Sequence, residues 1–290
     1  MQVWMGCSLM QLFPTTKIGR RRFCAMLGAA AASGGYAWGI EPRRLEVTRR
    51  TMVTPRLPGS LDGLRVAVLT DIHYNPEWQE QSMRNAIEAA NAEKPDLIFL
   101  PGDFVDVDPS VLEPLAPMLG GLRAKHGVFA SIGNHDGWAL APSRVGQLLE
   151  KHGVGFLCNQ SSRLNIGGQR LDVVGTDSIW SGFLDPARAF SGTRPETTLA
   201  LVHEPDPFEA LGERSILQVS GHTHGGQCRV PFLGYAPVGV RYGRKFIYGE
   251  FQQSSGGRLF VSRGLGTTGT RVRFACIPEV AILELRAEPN

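Results

Sequence analysis

The sequence predicts an α/β domain, and three observations support this fold class. From residue 65 onward, short apolar runs alternate with segments whose apolar residues recur at helical spacing. Apolar residues make up 42% of the 290 residues, which is enough to fill the core of one large domain or two small ones. Several apolar runs end directly in His, Asp or Asn, and α/β folds carry functional side chains at strand ends.

The N-terminal segment has the residue order of a targeting signal. Arg20, Arg21 and Arg22 precede Phe23, and residues 23–40 are uncharged and rich in Ala and Gly. The Arg-Arg-x-Phe core resembles a twin-arginine export signal, which implies the twin-arginine translocase as a partner during export of an already folded protein. The three Ala residues at 30–32 offer a cleavage site. A chance arginine cluster is a further interpretation.

An uncleaved membrane anchor is the main alternative for the same segment. The uncharged stretch has about 18 residues, near the lower limit for a spanning helix, and Tyr36 and Trp38 lie near its outer end. Both interpretations place the body outside the cytoplasm, in the periplasm or at the outer face of the cytoplasmic membrane. The predicted domains are therefore a signal or anchor at 1–40 and one domain at 41–290.

The charge and cysteine content exclude two classes of protein. The net charge is +3, but four of the 30 Lys and Arg residues precede Glu41, so the remainder carries 26 basic and 27 acidic residues. A nearly neutral body predicts no nucleic-acid partner, since that affinity depends on neutralising phosphates. The five cysteines form no CxxC pair, which argues against a disulfide framework or a zinc knuckle. We interpret them as packing residues.

The first half of the domain predicts three successive strand and helix pairs. In the first helix, Met83, Ile87 and Ala90 recur at the spacing of one helical face. In chain order, the pattern predicts a strand at 65–70, a helix at 79–93, a strand at 96–100, a helix at 111–125, a strand at 128–132 and a helix at 145–151. His126 and His152 each follow a predicted helix and precede Gly, which is ordinary capping chemistry.

The second half is richer in strands. The apolar runs predict strands at 171–174, 198–202, 216–219, 259–262 and 280–285. Residues 231–257 predict a long loop or hairpin, in which Arg241, Arg244 and Lys245 could bind a substrate phosphate or could belong to a charged loop. Residues 264–269 match GxGxxG, but residues 270–285 read as strand and not as the helix a dinucleotide site needs. We therefore expect a turn beside the functional site.

Polar clusters follow several of the predicted strands and together suggest a metal centre. They are Asp71 and His73, Gly102 and Asp103, Gly133 to Asp136, His203, and His222 with His224. Buried polar groups without partners cost roughly 1–3 kcal/mol each, and a shared ion would satisfy them together. Residues two apart on a strand project to the same side, so Asp71 with His73, and His222 with His224, could each clamp one ion. Such mixed ligands suit Mn, Fe or Zn, and Asp103 is the natural acid to bridge two ions.

The order of these clusters resembles the calcineurin-like metallophosphoesterases. The matching motifs are D-x-H, GD, GNHD, a single His and GHTH, spread over about residues 60–287. The twin-arginine-like start, residues 225–227 and the loop at 264–269 resemble an exported bacterial subgroup related to UDP-2,3-diacylglucosamine diphosphatases. The resemblance implies a four-layer α/β/β/α sandwich with two mixed sheets.

The resemblance also assigns roles to individual residues. It implies Asp71, His73, Asp103 and His224 as ligands of one divalent ion, with Asp103 bridging to a second ion completed by Asn134, His203 and His222. The two ions would activate a water molecule for in-line attack on phosphorus. His135 would stabilise developing charge or protonate the leaving oxygen, with Asp136 orienting its imidazole.

Some of these residues have simpler interpretations. A lone His203 could be a core histidine, Asp136 and Glu204 could be helix caps or solvated acids, and Asp106 could support the site or face solvent.

The implied function is hydrolysis of a phosphodiester or pyrophosphate. A lipid-linked nucleotide such as UDP-2,3-diacylglucosamine, in the lipid A pathway, is the most specific candidate, with the membrane surface as a possible partner. Lipid A assembly occurs on the cytosolic face, however, whereas the leader directs the body outward. A broad-specificity exported phosphodiesterase avoids this conflict. A non-catalytic metal-binding module is an alternative of another class, although its ligand set would not need His135.

Overall fold

Two six-stranded sheets form the centre of the molecule. The computed structural model describes residues 19–230, 234–235 and 245–288. In the first sheet the order is β1 (Glu46–Thr54), β14 (Glu279–Ala287), β2 (Arg65–Val68), β3 (Leu97–Leu100), β4 (Val128–Ala130) and β5 (Gly155–Phe156). In the second sheet the order is β12 (Gly249–Gln252), β13 (Arg258–Val261), β9 (Leu217–Ser220), β8 (Thr198–Leu201), β7 (Gln169–Gly175) and β6 (Gln160–Ile166). A short hairpin pairs β10 (Arg229–Val230) with β11 (Gly234–Tyr235).

Both sheets are mixed. In the first sheet, β2 to β5 are parallel to one another, and β14 runs antiparallel to β2. In the second sheet, β7, β8, β9 and β13 are parallel, and the edge strands β6 and β12 are antiparallel to their neighbours. The parallel strands of each sheet therefore direct their carboxyl ends to one edge.

Helices cover the outer face of each sheet. The helices are α1 (Arg20–Gly39), α2 (Glu80–Ala92), α3 (Leu112–Leu119), α4 (Asn134–Ala139), α5 (Pro142–Glu150), α6 (Pro186–Ala189) and α7 (Phe208–Leu211). Buried residues of α2, α3 and α5 pack on the first sheet, and α6 and α7 contribute to a smaller cluster on the second. The four-layer α/β/β/α sandwich with two mixed sheets is confirmed.

Alternation along the strands explains the layers. Val66 and Val68 of β2 lie in the core between the two sheets, whereas Ala67 faces the core beneath the helices. The same alternation places Leu199 between the sheets and Ala200 under the short helices. Strands covered on both faces need apolar residues at every position, which is why these runs are uninterrupted in the sequence.

Most of the expected elements are present, with three differences. The helix expected at 111–125 ends at Leu119, where Gly120 and Gly121 follow. Within residues 270–285 the strand begins only at Glu279, and it continues to Ala287, because the preceding segment folds into turns. The strands β1, β5, β6 and β12 and the helices α4, α6 and α7 were not expected.

Candidate dinuclear metal centre

All seven candidate metal ligands follow parallel strands. Residues 71–73, 103 and 134 come after β2, β3 and β4 of the first sheet, and residues 203 and 222–224 come after β8 and β9 of the second. Carboxyl ends of parallel strands share one edge, where α/β proteins bind ligands. By the same geometry, His126 and His152 precede β4 and β5 and so lie at the opposite edge.

Most of the candidate ligands at this edge have a backbone conformation in the left-handed region, with a positive φ angle. Nine non-glycine residues of the described chain have positive φ angles, and five of them are candidate ligands. The five are Asp71 (φ 48°), His73 (41°), Asp103 (56°), His222 (68°) and His224 (50°). The expectation that residues two apart project from an extended strand end is therefore wrong, because β2 ends at Val68 and β9 at Ser220. Left-handed backbone costs roughly 1–2 kcal/mol per residue and concentrates at functional sites.

Two glycines allow these turns to pack against each other. A Cβ atom on Gly133 would lie 2.2 Å from Asp103 Oδ1, and one on Gly221 would lie 2.2 Å from Asp71 Oδ2. Any larger residue would displace the carboxylates. This contact gives a physical reason for the glycine that begins each of the GNHD and GHTH motifs.

The first group of ligand atoms gathers around two imidazoles. His73 Nε2 and His224 Nε2 are 3.1 Å apart. Asp71 Oδ1 lies 3.6 Å from His224 Nε2, and Asp103 Oδ2 lies 3.4 Å from His73 Nε2. These four atoms belong to the residues that the resemblance assigned to one ion.

The second group shares the same carboxylate oxygen. His203 Nε2 lies 3.1 Å from Asp103 Oδ2 and 3.1 Å from Asn134 Oδ1. His222 Nδ1 lies 2.8 Å from the same Asn134 oxygen. Asp103 Oδ1 accepts a hydrogen bond from the His135 backbone at 2.9 Å, which directs Oδ2 toward both groups.

The oxygen and nitrogen atoms of the cluster suit two divalent cations, because some of them have no hydrogen-bond partner among the described residues. Asp71 Oδ2 and His224 Nδ1 are buried without a hydrogen-bond partner among the described residues. His73 Nε2 and His224 Nε2 lie 3.1 Å apart, so both nitrogens could bind one divalent ion at about 2.0–2.1 Å each. His203 Nδ1 lies 2.7 Å from the Pro101 carbonyl oxygen, which fixes the tautomer that presents Nε2 to the site.

Burial and mutual charge shift the pKa values of the clustered acids and imidazoles. Burial opposes the charged form of His73, but its contacts with Asp103 and Asp106 raise its pKa to about 9. Despite burial, the charge of Asp103 also raises the pKa of His203, and the two imidazoles lower the pKa of Asp103. Burial and the charge of His73 lower the pKa of His224. A metal ion would take the place of the protons that the raised pKa values of His73 and His203 favour.

The His135 side chain is partly exposed to solvent, whereas those of His73 and His203 are fully buried. Its Nδ1 lies 2.7 Å from the Asp106 carbonyl oxygen, and the ring packs edge-on against His73 at 4.8 Å. Donation from Nδ1 leaves Nε2 directed elsewhere, with the Thr268 hydroxyl 3.5 Å away. The half-buried ring can therefore exchange a proton with a bound molecule.

The Asp136 carboxylate has other partners than the expected imidazole. It is buried and accepts four backbone hydrogen bonds, from Asp103, Phe104, Val105 and Gly133. Burial and the nearby Asp103 charge raise its pKa to about 7. Asp136 thus joins the loop after β3 to the start of α4, while Asp106 contacts the His135 ring.

Asp106 and Thr268 also contact the cluster, and sequence reasoning left the first ambiguous and missed the second. The Asp106 carboxylate lies 3.2 Å from His73 Nδ1 and accepts a hydrogen bond from the Thr268 hydroxyl at 2.9 Å. The expected turn at 264–269 does pack beside the site, since Gly266 N donates to the Asp71 carbonyl. The useful signal was the position of Asp106, three residues after Asp103.

Four further charged residues, Glu204, Arg241, Arg244 and Lys245, belong to segments that the sequence left ambiguous. Glu204 accepts hydrogen bonds from Ser178 and the Ile179 backbone, so it supports the loop that carries Trp180. Lys245 pairs with Glu209. Arg241 and Arg244 lie outside the described residues.

Comparison with known proteins agrees with this geometry. Residues 64–226 match the calcineurin-like phosphoesterase family. The uncharacterized metallophosphoesterase YkuE of Bacillus subtilis is 30% identical, over 93% of this chain and 99% of that protein. Phosphodiesterase YaeI of Escherichia coli is 32% identical, over 92% and 99%. The UDP-2,3-diacylglucosamine pyrophosphatase LpxG of Chlamydia trachomatis is 25% identical, over 91% and 96%. The chain belongs to the calcineurin-like phosphoesterases, a family of metal-dependent hydrolases of phosphoric esters.

Proposed function

We propose that this protein hydrolyses a phosphodiester or pyrophosphate with two divalent cations bound at the strand edge. The observation that carries the proposal is the position of Asp103 Oδ2, which lies within 3.4 Å of His73 Nε2 and 3.1 Å of His203 Nε2. One oxygen between two groups of ligands is what a bridging carboxylate requires. Asp71, His73, Asp103 and His224 would hold one cation, and Asp103, Asn134, His203 and His222 the other.

The protein's own residues supply orientation and a proton. Bound divalent cations supply Lewis acidity, which activates water and neutralises the phosphoryl oxygens. His135 in its doubly protonated form would donate the Nε2 proton to the leaving oxygen, while its Nδ1–H stays hydrogen-bonded to the Asp106 carbonyl. The Asp136 carboxylate accepts hydrogen bonds from the Asp103 and Gly133 backbones, which holds Asp103 and the neighbouring Asn134 in fixed relative positions.

An exposed aromatic rim supports a substrate with an apolar part. The Trp138 ring packs against His135 and is 57% exposed, and the Trp180 ring packs against His222 and is 47% exposed. Phe183 is also exposed on the loop that follows Trp180. Contiguous exposed apolar side chains beside a polar centre are typical of ligand-binding surfaces.

Two substrate classes follow from these features. A lipid-linked nucleotide is supported by the rim and by the relative named as a UDP-2,3-diacylglucosamine pyrophosphatase. A broad-specificity phosphodiesterase is supported by the more similar relative named as a phosphodiesterase. Membership of a hydrolase family and the oriented His135 disfavour a non-catalytic module.

We also propose that the body lies outside the cytoplasm, exported by the twin-arginine translocase and either released or held by α1. The support is the Arg20, Arg21 and Phe23 pattern followed by a helix that is long and apolar enough to cross a membrane.

The proposed activity can be tested with bis-p-nitrophenyl phosphate. We expect the Mn-loaded protein to hydrolyse it with about two ions per chain, and to lose activity on chelation. Asp103→Asn should lower turnover by at least about 100-fold and reduce bound metal, since it weakens both groups of ligands. Asp62→Asn, on the exposed surface, is the control. Inactivity with both ions bound would refute the proposal.

A further inference from the structure

Trp180 is an exposed indole that packs beside a candidate metal ligand. Its ring centre lies 5.6 Å from that of His222, and the residue is 47% exposed. An apolar ring in contact with water gains free energy when a ligand covers it, and such rings beside a polar centre are typical of binding surfaces. The indole is therefore a candidate contact for the part of the substrate that lies nearest His222.

The loop that carries Trp180 is held by a buried carboxylate. Glu204 accepts hydrogen bonds from the Ser178 hydroxyl and from the Ile179 backbone N–H. The Ser178 oxygen in turn accepts hydrogen bonds from the N–H groups of Trp180 at 3.0 Å and of Ser181 at 3.2 Å. Two successive hydrogen bonds thus connect the Glu204 carboxylate to the backbone of Trp180. A buried network of this kind holds its members in one arrangement.

The two ends of the loop are held by a second set of hydrogen bonds. The Asp177 carboxylate accepts one from Phe183 N at 3.0 Å. The Asn159 side-chain oxygen accepts from Asp177 N and Asp185 N, each at 3.1 Å, and its nitrogen donates to the Phe183 carbonyl at 2.7 Å. The loop is therefore ordered before a ligand binds, so contact with the Trp180 indole carries little further cost in conformational entropy.

The two exposed indoles of the site contact different residues of the cluster. The Trp138 ring packs against His135, which serves the leaving oxygen in the proposed reaction, so Trp138 lies beside the leaving group. The Trp180 ring packs against His222, a candidate ligand of the second cation. In an in-line displacement the leaving oxygen lies opposite the attacking one, and the ester group that stays on phosphorus lies to the side. Trp180 is the indole placed for this retained group.

We propose that Trp180 stacks on a planar aromatic ring of the retained group, and that Glu204 is the positioning residue that holds the indole for this contact. A fixed, flat indole complements a flat ring better than it complements a flexible chain. The inference rests on the proposed function and specifies aryl or nucleoside esters as preferred substrates. An acyl chain is the rival occupant, and it would use the indole only as an apolar surface.

The test uses three p-nitrophenyl phosphodiesters that share the leaving group and differ in the retained group, which is phenyl, cyclohexyl or methyl. The measured quantity is the ratio of kcat/KM for phenyl to that for cyclohexyl, in Mn-loaded protein. Intrinsic reactivity is the same for every variant, so a change in this ratio reports the contact. We expect Trp180→Leu to lower the ratio about threefold to tenfold and Trp180→Phe to keep part of it, because leucine retains apolar bulk but not a ring.

The role of Glu204 is tested on the same ratio. Glu204→Gln should lower it in the same direction, because the amide NH₂ cannot accept the Ile179 N–H. Added to Trp180→Leu it should cause no further change, since both act through one indole. Metal content near two per chain shows that the neighbouring His203 is undisturbed. The exposed Glu88→Gln is the matched control.

Trp138→Leu is the internal comparison for the two indoles. It should lower turnover of all three esters to a similar extent and leave the phenyl-to-cyclohexyl ratio within about twofold, because Trp138 lies beside the common leaving group. A fall in the ratio as large as that of Trp180→Leu would overturn the assignment of Trp180 to the retained group.

The remaining outcomes separate the proposals. An unchanged ratio in Trp180→Leu overturns the stacking contact, and equal losses for phenyl and cyclohexyl relative to methyl overturn it in favour of an acyl chain. If no ester is hydrolysed with both ions bound, the hydrolase proposal fails. Calorimetric titration with phenylphosphonate and cyclohexylphosphonate then measures the preference without turnover. A phenyl preference that is lost in Trp180→Leu would leave the stacking contact standing, and no preference in wild type would overturn it.

Discussion

The hydrogen bond between His135 and the Asp106 carbonyl leads to a prediction about proton transfer. If His135 protonates the leaving oxygen, His135→Ala should lower turnover most for basic leaving groups, by about 100-fold or more for a phenolate. The loss should be smaller for p-nitrophenolate, which leaves without a proton. Turnover of aryl phosphodiesters with graded leaving groups measures this dependence, and metal content should stay near two per chain. A loss independent of the leaving group would contradict proton donation, and a loss of metal would make His135 a ligand.

At the level of single residues, the sequence predicted which side chains lie together at the site. It did not predict their backbone conformation or their hydrogen-bond partners. The residue types and their order after apolar runs placed Asp71, His73 and Asp103 at one edge, because strand ends follow from apolar periodicity. The left-handed backbone at these positions could not be predicted, since non-glycine residues adopt it only under tertiary constraint. The partners of Asp136 were missed for a related reason. Its neighbour in sequence is His135, but the loop after β3 presents four N–H groups to its carboxylate instead.

At the level of elements, the segment after α1 holds the loop that contains Arg271. Glu41 is buried and accepts hydrogen bonds from the backbone N–H groups of Ala275 and Cys276. Glu41→Ala should destabilise the fold by about 2–3 kcal/mol, because it leaves the buried Cys276 N–H and the partly buried Ala275 N–H without their acceptor. In a domain of this size that corresponds to a fall in Tm of about 4–12 °C by calorimetry. Glu41→Gln should keep part of the stability, and the exposed Glu88→Ala should keep all of it. An unchanged Tm for Glu41→Ala would mean that the loop is held by other contacts.

The elements that sequence patterns missed are mainly edge strands. The strand β1 lies at the edge of the first sheet and pairs in parallel with β14, more than 200 residues away. The strand β6 lies at the edge of the second sheet and is largely polar. An edge strand needs fewer apolar residues, so its sequence differs little from that of a loop. The central strands are covered on both faces, and their apolar runs identified them.

At the scale of the whole molecule, α1 is a candidate membrane anchor whose C-terminal end contacts the body. Its 20 residues correspond to a length of about 30 Å, but the first three are arginines, so the apolar part is near the lower limit for crossing a bilayer. Ala37 is the buried residue of this helix, and its carbonyl accepts a hydrogen bond from Arg273 N. Phe23, Met26 and Leu27 are exposed. The body therefore contacts the C-terminal end of α1, where the Trp38 ring packs against Arg271.

This arrangement predicts that removing residues 1–34 separates membrane attachment from catalysis. The truncation keeps Ala37, Trp38 and Glu41, which contact the body, and removes most of the exposed apolar helix. We expect the full-length chain in the membrane fraction and the truncated chain in the soluble fraction, with kcat/KM for bis-p-nitrophenyl phosphate within about twofold, because no candidate ligand is affected. A full-length gene that yields a soluble periplasmic protein, with its N-terminus after residues 30–32, would identify α1 as a cleaved signal. A truncated chain that still sediments with membranes would instead place the attachment on the body, where the aromatic rim of Trp138 and Trp180 is the surface to mutate next.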